Sequence, residues 1–463
     1  MSPSPSPERP PPPRDQPSRE QVNQAAILGL SRNYVSTQRI DDRPADENTR
    51  LWQPSAEAIA ADNIIYAHEH PTKARGIIWG LLTILVAGAL VILLGAPQLL
   101  PDALGPLVGR LPKDPLRAAL RILDAAPVIV YLPILLRSRF GNNVSAIDLS
   151  EEFVGHVDIP RLRQGKVGGF FWSVYRGKDF LGASWRVRDT LEQIDVARLT
   201  IDKYPDARCS RPDAITNGKI ASLLGVEGGH QLGNSLAVLR QYHALGVRYV
   251  TLTHTCHNAF ADSCGFEPGM IPLHGGLSAL GLRLIDEMNR LGVLVDLSHT
   301  SDDTARQALK HSKAPVIWSH SSARAVHDVP RNVPDDVLAL VGTGEGQTDA
   351  VVMVNFAPFF VADPGNATVY TVADHVEHIA KIAGKLHVGL GSDYDGIDST
   401  PVGLEDIAEL YTRGWNKYEL AGLTGANLLR VFEGAEKAAR DLKAAGTLPA
   451  FDVYPMRTDL PIL

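Results

Sequence analysis

The chain has 463 residues, enough for one large catalytic domain with further segments, and 44% of them are apolar, so a large core can form. A formal net charge of −7 lacks the basic excess that a nucleic-acid surface requires, which excludes that class of partner. Three cysteines, Cys209, Cys256 and Cys264, exclude a disulfide framework, although one bridge fits if this part of the chain faces an oxidising compartment.

The first 20 residues, MSPSPSPERPPPPRDQPSRE, bury too little apolar surface to fold and are predicted to be disordered. Polar sequence continues to Arg75. Gly76–Ala96, GIIWGLLTILVAGALVILLGA, then runs without a charge for the thickness of a bilayer core, which predicts one transmembrane helix. It starts too deep in the chain for a cleaved signal peptide. Lys73 and Arg75 precede it, which favours a cytoplasmic N-terminus. The sequons Asn143-Val-Ser145 and Asn366-Ala-Thr368 both follow it, in agreement with a lumenal or extracellular C-terminal part. The terminal DLPIL carries no apolar lipid-anchor signal. The expected organisation is a cytoplasmic tail over 1–75, a span over 76–96, a linker over 97–125, a catalytic domain over 126–445 and a C-terminal tail over 446–463.

From about residue 125 the pattern becomes α/β. Strand-like runs cover Pro127–Leu132, Gly169–Val174, Ala221–Val226, Val247–Thr253, Gly292–Ser298, Ala314–Ser319, Ala350–Phe356 and Leu386–Ser392. Amphipathic stretches at Ser235–Leu245, Leu280–Leu291, Asp302–His311 and Val372–Ala383 separate several of them, and Gly246 and Gly292 stop two of these helices. Eight strands with helical crossovers predict an α/β fold, a (β/α)8 TIM-type barrel. The competing open doubly wound sheet usually carries a Gly-rich phosphate loop after an early strand, and none is present.

Five runs end on residues that bind metal or move protons: Glu227, His254, His299, His320 and Asp393. In a barrel of this kind such strand ends meet at one face, where active sites are built. Glu227, His299 and His320 match the nitrogen and carboxylate donors of a hydrolytic zinc site. Asp393 is suited to take a proton from water and return it to a leaving amine. His254 is suited to donate to a developing oxyanion. Arg331 is suited to grip a substrate carboxylate through two parallel hydrogen bonds. His230, His243, His257, His274, His311 and His327 follow no strand-end logic, and Asp395 reads as a residue that shapes its loop.

The motifs VGGFFWSVY, TLEQIDV, GVEGGH, YVTLTHTCHN, LGVLVDLSHTS, APVIWSHSSARAV, RNVPDDVL, VMVNF, GSDYDG and NLLRVFE resemble the membrane dipeptidase (renal dipeptidase) family, in the family's order, from about Ala126 to the Glu436 region. The resemblance implies a (β/α)8 metal-dependent hydrolase with two zinc ions that cleaves dipeptides, some members also opening β-lactam rings. It implies that Glu227 bridges both ions, that His299 and His320 complete one site, that His254 and Arg331 contact substrate, and that Asp393 shuttles the proton. A homodimer is a further expectation.

The chain also departs from the family. There the first strand ends in His-x-Asp, which holds the other zinc, whereas here Pro127-Val-Ile-Val-Tyr131 runs straight into LPILLR. His68-Glu-His70 precedes the span and is on the wrong side of it, and His156-Val-Asp158 falls in a segment outside the metal set. The loop RGKDFLGASW and the stretch after GLEDI are also shorter than the family pattern. Three local shortenings fit mis-joined exons, which a transcript read across codons 126–132 would check. The sequence therefore supports a membrane-anchored zinc dipeptidase first. A catalytically impaired relative acting as a binding protein comes second, and a hydrolase of another amide third.

Overall fold

The computed structural model describes residues 126–175, 183–204, 220–265, 268–404 and 413–456, all within one compact unit, Leu100–Leu463. The expected tail, the Gly76–Ala96 span, His68–His70 and Cys209 lie outside the described residues. Among those described, no helix is long and apolar enough to cross a membrane.

Among the described residues there are eight strands: β1 (Ala126–Val130), β2 (Val167–Tyr175), β3 (Ala221–Glu227), β4 (Val247–Thr251), β5 (Leu294–Asp296), β6 (Val316–Trp318), β7 (Ala350–Asn355) and β8 (Val388–Gly391). They form one sheet in chain order, and every neighbouring pair is parallel. Beyond β8 the chain returns to the first strand: Val130 bridges Tyr394 in parallel, and the Tyr131 amide donates to the Tyr394 carbonyl at 2.8 Å. Sequential parallel order with this return is the arrangement of a TIM-type barrel, as the sequence predicts. Among the described residues, seven longer helices lie between or after the strands: α1 (Leu132–Phe140), α2 (Ala183–Lys203), α3 (Leu236–Ala244), α4 (Ala279–Leu291), α5 (Asp302–His311), α6 (Val369–Ala383) and α7 (Asn427–Ala444), alongside shorter helical segments.

Local chemistry explains the element ends. The Ser301 side chain accepts from Thr304 N to cap α5, with Asp302 and Asp303 in the first turn and Lys310 and His311 in the last, the polarity a helix dipole favours. Ser278 caps α4 in the same way, and Gly292 ends it in the left-handed region at φ 73°.

Side chains alternate across each strand with period two. One face of the sheet packs Phe170, Trp172, Val174, Leu224, Val226, Val250, Val295, Val316, Trp318, Val352 and Val354 into the core shared with the helices. Each large side chain there contributes roughly 1.5–3 kcal/mol relative to exposure. The other face supplies a second cluster that includes Tyr131, Phe171, Leu223, Tyr249, Leu294, Ile317, Val351 and Met353. Further along the same face, two residues on in β4, β5, β6 and β7 and four in β3, this apolar layer gives way to buried Glu227, Thr251, Asp296, Ser319 and Asn355, with Asp393 beyond β8. The interior is apolar below and polar at the C-terminal ends of the strands.

Candidate metal centre

Glu227 is the last residue of β3, while His254, His299, His320 and Asp393 sit two or three residues beyond β4, β5, β6 and β8. The strand ladder stops before these residues, which frees their backbones to turn. His299 and Asp393 both adopt left-handed conformations at φ 64°, costly for non-glycine residues and met most often at functional sites. Gly228, at φ 112°, turns the chain directly after Glu227, and a β-carbon there would meet the His230 ring at 2.4 Å.

The three expected ligands converge. Glu227 Oε1 lies 3.0 Å from His299 Nε2 and 3.1 Å from His320 Nε2, and the two Nε2 atoms are 3.0 Å apart. All three residues are buried, and among the described residues this is the one group of at least three His, Cys, Asp or Glu side chains placed to hold a metal ion. Burial holds the His299 imidazole well below its ordinary range, with the Arg331 guanidinium acting in the same direction, so it is neutral. Burial alone would raise Glu227, but His254, His299 and His320 overrule it and keep the carboxyl well below the usual range. Glu227 is thus an ionised carboxylate and His299 a neutral imidazole, protonation states that metal binding requires. The mutual spacing is close to the about 3.3 Å that separates ligand atoms around a tetrahedral ion with bonds of roughly 2.0–2.1 Å. These residues fit a metal ion.

The remaining expected residues surround this triangle. His254 Nε2 is 3.8 Å from Glu227 Oε2, and its ring lies between Tyr175 and His299, at centroid distances of 4.6 and 4.2 Å. Burial pushes His254 down to about 4 against the pull of Glu227, so it is a neutral hydrogen-bond donor. Asp393 is buried, and its Oδ2 accepts from Asn355 Nδ2 at 3.1 Å. Burial pushes its carboxyl above the ordinary range, which suits a group that exchanges protons. Arg331 is 3% exposed; its Nη1 donates to Ser321 Oγ at 3.0 Å, its Nη2 to the His320 carbonyl at 2.9 Å, and its Nε is buried without a partner. The expected two-bond grip on a carboxylate is thereby constrained, because each Nη already gives one hydrogen bond to the protein.

The end of β1 differs, as its sequence foretells. Tyr131 is 3% exposed, its ring sits edge-on to His320 with centroids 6.2 Å apart, and its hydroxyl is buried without a hydrogen-bond partner. Burial, reinforced by Glu227 and Asp393, raises this phenol well above its usual range, so it stays protonated. The other segment that carries ligand letters lies elsewhere: the His156 amide donates to Asp395 Oδ1 at 2.6 Å and its Nδ1 accepts from the Asp395 amide at 3.1 Å, which locks the loop after β8. Asp395 is the loop-shaping residue that the sequence indicates.

Sequence reasoning missed Tyr175, Asn355 and the pair Asp296 and Ser319. Their signal was available in part. Each lies on the inward face of its strand, at the alternation that also places Glu227.

The family described as membrane dipeptidase (Peptidase family M19) matches residues 116–446. The chain belongs to that family. It is a dipeptidase of the metal-dependent hydrolase kind, and its sequence resemblance is thereby upheld. Dipeptidase aclJ of Aspergillus oryzae is 45% identical to it over 324 residues, 65% of this chain and 75% of that protein. Among solved structures, the metallopeptidase of Rhodobacter sphaeroides, liganded with a phosphinate mimic of the dipeptide L-Ala-D-Ala, superposes with a TM-score of 0.60 at 23% identity, covering 67% of this dipeptidase and 99% of that chain. The probable dipeptidase PvdM of Pseudomonas aeruginosa does so with a TM-score of 0.61 at 20% identity, covering 71% and 100%. At these identities the solved structures speak for the shared fold.

Proposed function

We propose that the dipeptidase is a membrane-anchored zinc enzyme that hydrolyses dipeptides carrying a free C-terminal carboxylate. The buried Glu227–His299–His320 triangle at the strand ends carries this reading. A zinc ion held by these three residues supplies Lewis acidity that makes water a nucleophile near neutral pH. Asp393, its carboxyl raised by burial and oriented by Asn355, is placed to accept a proton from an attacking water and return it to the departing amine. His254, neutral and beside Glu227, donates its N–H toward the carbonyl oxygen as charge develops there. Arg331, fixed by Ser321 and the His320 carbonyl, presents its remaining N–H groups to the substrate carboxylate. The phosphinate dipeptide mimic on the Rhodobacter sphaeroides relative is a ligand of that class.

The described residues supply donors for one ion. The β1 end offers a protonated phenol where the family resemblance places His-x-Asp, so the reading is one zinc per chain and slower turnover than a two-ion site gives. Gly76–Ala96 would anchor the enzyme, with the catalytic domain on the lumenal or extracellular side. A homodimer is the assembly proposed. The direct test compares hydrolysis of a dipeptide and of its C-terminal amide, before and after chelation. Zinc-restorable activity that prefers the free carboxylate supports the reading. Equal rates on both substrates would remove the carboxylate clamp, and chelator-resistant activity would remove the metal.

A further inference from the structure

The two histidines of the triangle are held differently. His299 Nδ1 is buried without a hydrogen-bond partner. His320 Nδ1 lies 2.7 Å from Ser319 Oγ, which lies 2.6 Å from Asp296 Oδ2. Asp296 is fully buried and takes four donors: the Ser298 and Ser319 amides on Oδ1, at 3.0 and 2.8 Å, and the Thr251 and Ser319 hydroxyls on Oδ2, both at 2.6 Å. A carboxylate has about four acceptor directions, so these contacts fill it as an acceptor.

A hydroxyl carries a single hydrogen. Ser319 has a weaker alternative acceptor in Ser298 Oγ at 3.2 Å, but the shorter, charge-assisted bond to Asp296 claims that hydrogen. Ser319 Oγ can then only accept from the imidazole, which places the proton on His320 Nδ1 and leaves the lone pair on Nε2. Nε2 faces the triangle, where an ion would bind; in the ion-free chain the Glu227 carboxylate 3.1 Å away is the competing acceptor that the relay has to outweigh. The His320 amide also donates to Ser298 Oγ at 3.0 Å, so the backbone and the ring are fixed from the same strand end.

We infer that Asp296 and Ser319 form a positioning relay that sets the tautomer of His320 and aims its Nε2 at the metal. The inference rests on His320 being a ligand of the ion. Neither relay residue touches substrate. The relay makes His320 the pre-set ligand of the pair, whereas His299 depends on its strained backbone for orientation. Outer hydrogen bonds of this kind orient ligating imidazoles and raise their basicity, and their loss typically weakens metal binding by roughly 10–100-fold.

The test has two parts. In the chelated full-length protein labelled with 15N-histidine, two-bond 1H–15N correlations report the tautomer of each ring, and the His320→Ala variant assigns the His320 signals. The Nδ1–H tautomer is expected in the native chain, and the Nε2–H tautomer would overturn the relay without any variant having to fold. Zinc affinity by chelator competition is then measured for Ser319→Ala, Ser319→Thr and His320→Ala, each checked by its melting curve. Expected is a loss of roughly 10–100-fold for Ser319→Ala, affinity within about threefold of native for Ser319→Thr, and a larger loss for His320→Ala. An unchanged Ser319→Ala beside a weakened His320→Ala would refute the relay and keep the ligand assignment. An unchanged His320→Ala would refute the ligand assignment itself.

Discussion

Between β5 and β6, Asp296, Ser298 and Ser319 hold His320 through buried hydrogen bonds, whereas at the end of β1 the interior receives the ring and unbonded hydroxyl of Tyr131. Both ends belong to the same barrel mouth and follow the same strand alternation. One is a prepared ligand site and the other is an extension of the apolar interior layer. Alternation decides which residues face the mouth, and residue chemistry alone decides whether a strand end binds metal.

The largest expected effect comes from breaking the prepared side. Glu227→Gln or His299→Ala should lower kcat/KM on a dipeptide by at least about a thousandfold, since the ion is asked for several kcal/mol of transition-state stabilisation. Steady-state kinetics with zinc in excess checks this, and a loss below tenfold would count against the triangle as the catalytic centre. Removing the anchor beside it is milder. Arg331→Ala should raise KM for a dipeptide by about 10–100-fold, the worth of a hydrogen bond to a charged group, and leave KM for the C-terminal amide little changed. A parallel loss on both substrates would show that Arg331 acts through its bonds to Ser321 and the His320 carbonyl instead.

The comparison can also be sharpened by rebuilding the poor side. Ile129→His with Tyr131→Asp supplies the two missing donor types at the end of β1 and should raise the zinc content from one ion toward two per chain, read by elemental analysis. No rise would mean that the β1 backbone does not aim these positions at Glu227.

The smallest effect lies away from the mouth. Glu287 on α4 is 1% exposed and accepts from Arg240, from Arg290 and, at 3.1 Å, from the Ala450 amide. Burial opposes its ionisation, but these donors hold it below the ordinary carboxylate range. Its folded-state value is depressed, so its stabilisation is complete above the unfolded value of about 4.3 and is lost as pH falls through the folded one. Glu287→Gln should cost about 2 kcal/mol at neutral pH by denaturant unfolding, with the difference shrinking below about pH 4. A difference constant down to pH 3 would show that the carboxylate charge contributes nothing.

All eight strands were legible in the sequence because each is a short apolar run, five of them with chemistry at the exit. Six strand ends were read one or two residues too long, and those of β2 and β3 one residue short. Leu252 and Leu297 are as buried as ladder residues, so hydrophobicity continues where pairing of the named strand has stopped. The helix α7 gave no start signal: its N-cap is Ala426, and the chain enters it from a π turn in which Gly425 sits at φ 157°. The triangle was legible residue by residue, since strand ends of a barrel converge. The roles of Asp296 and Ser319 were not, because which hydrogen a hydroxyl gives to which acceptor depends on distances across strands.

The zinc content of the full chain under native mass spectrometry tests the central claim most directly. One ion per chain in the native protein and none in His320→Ala is the predicted result. Two ions per native chain, or one that survives the loss of His320, would contradict it.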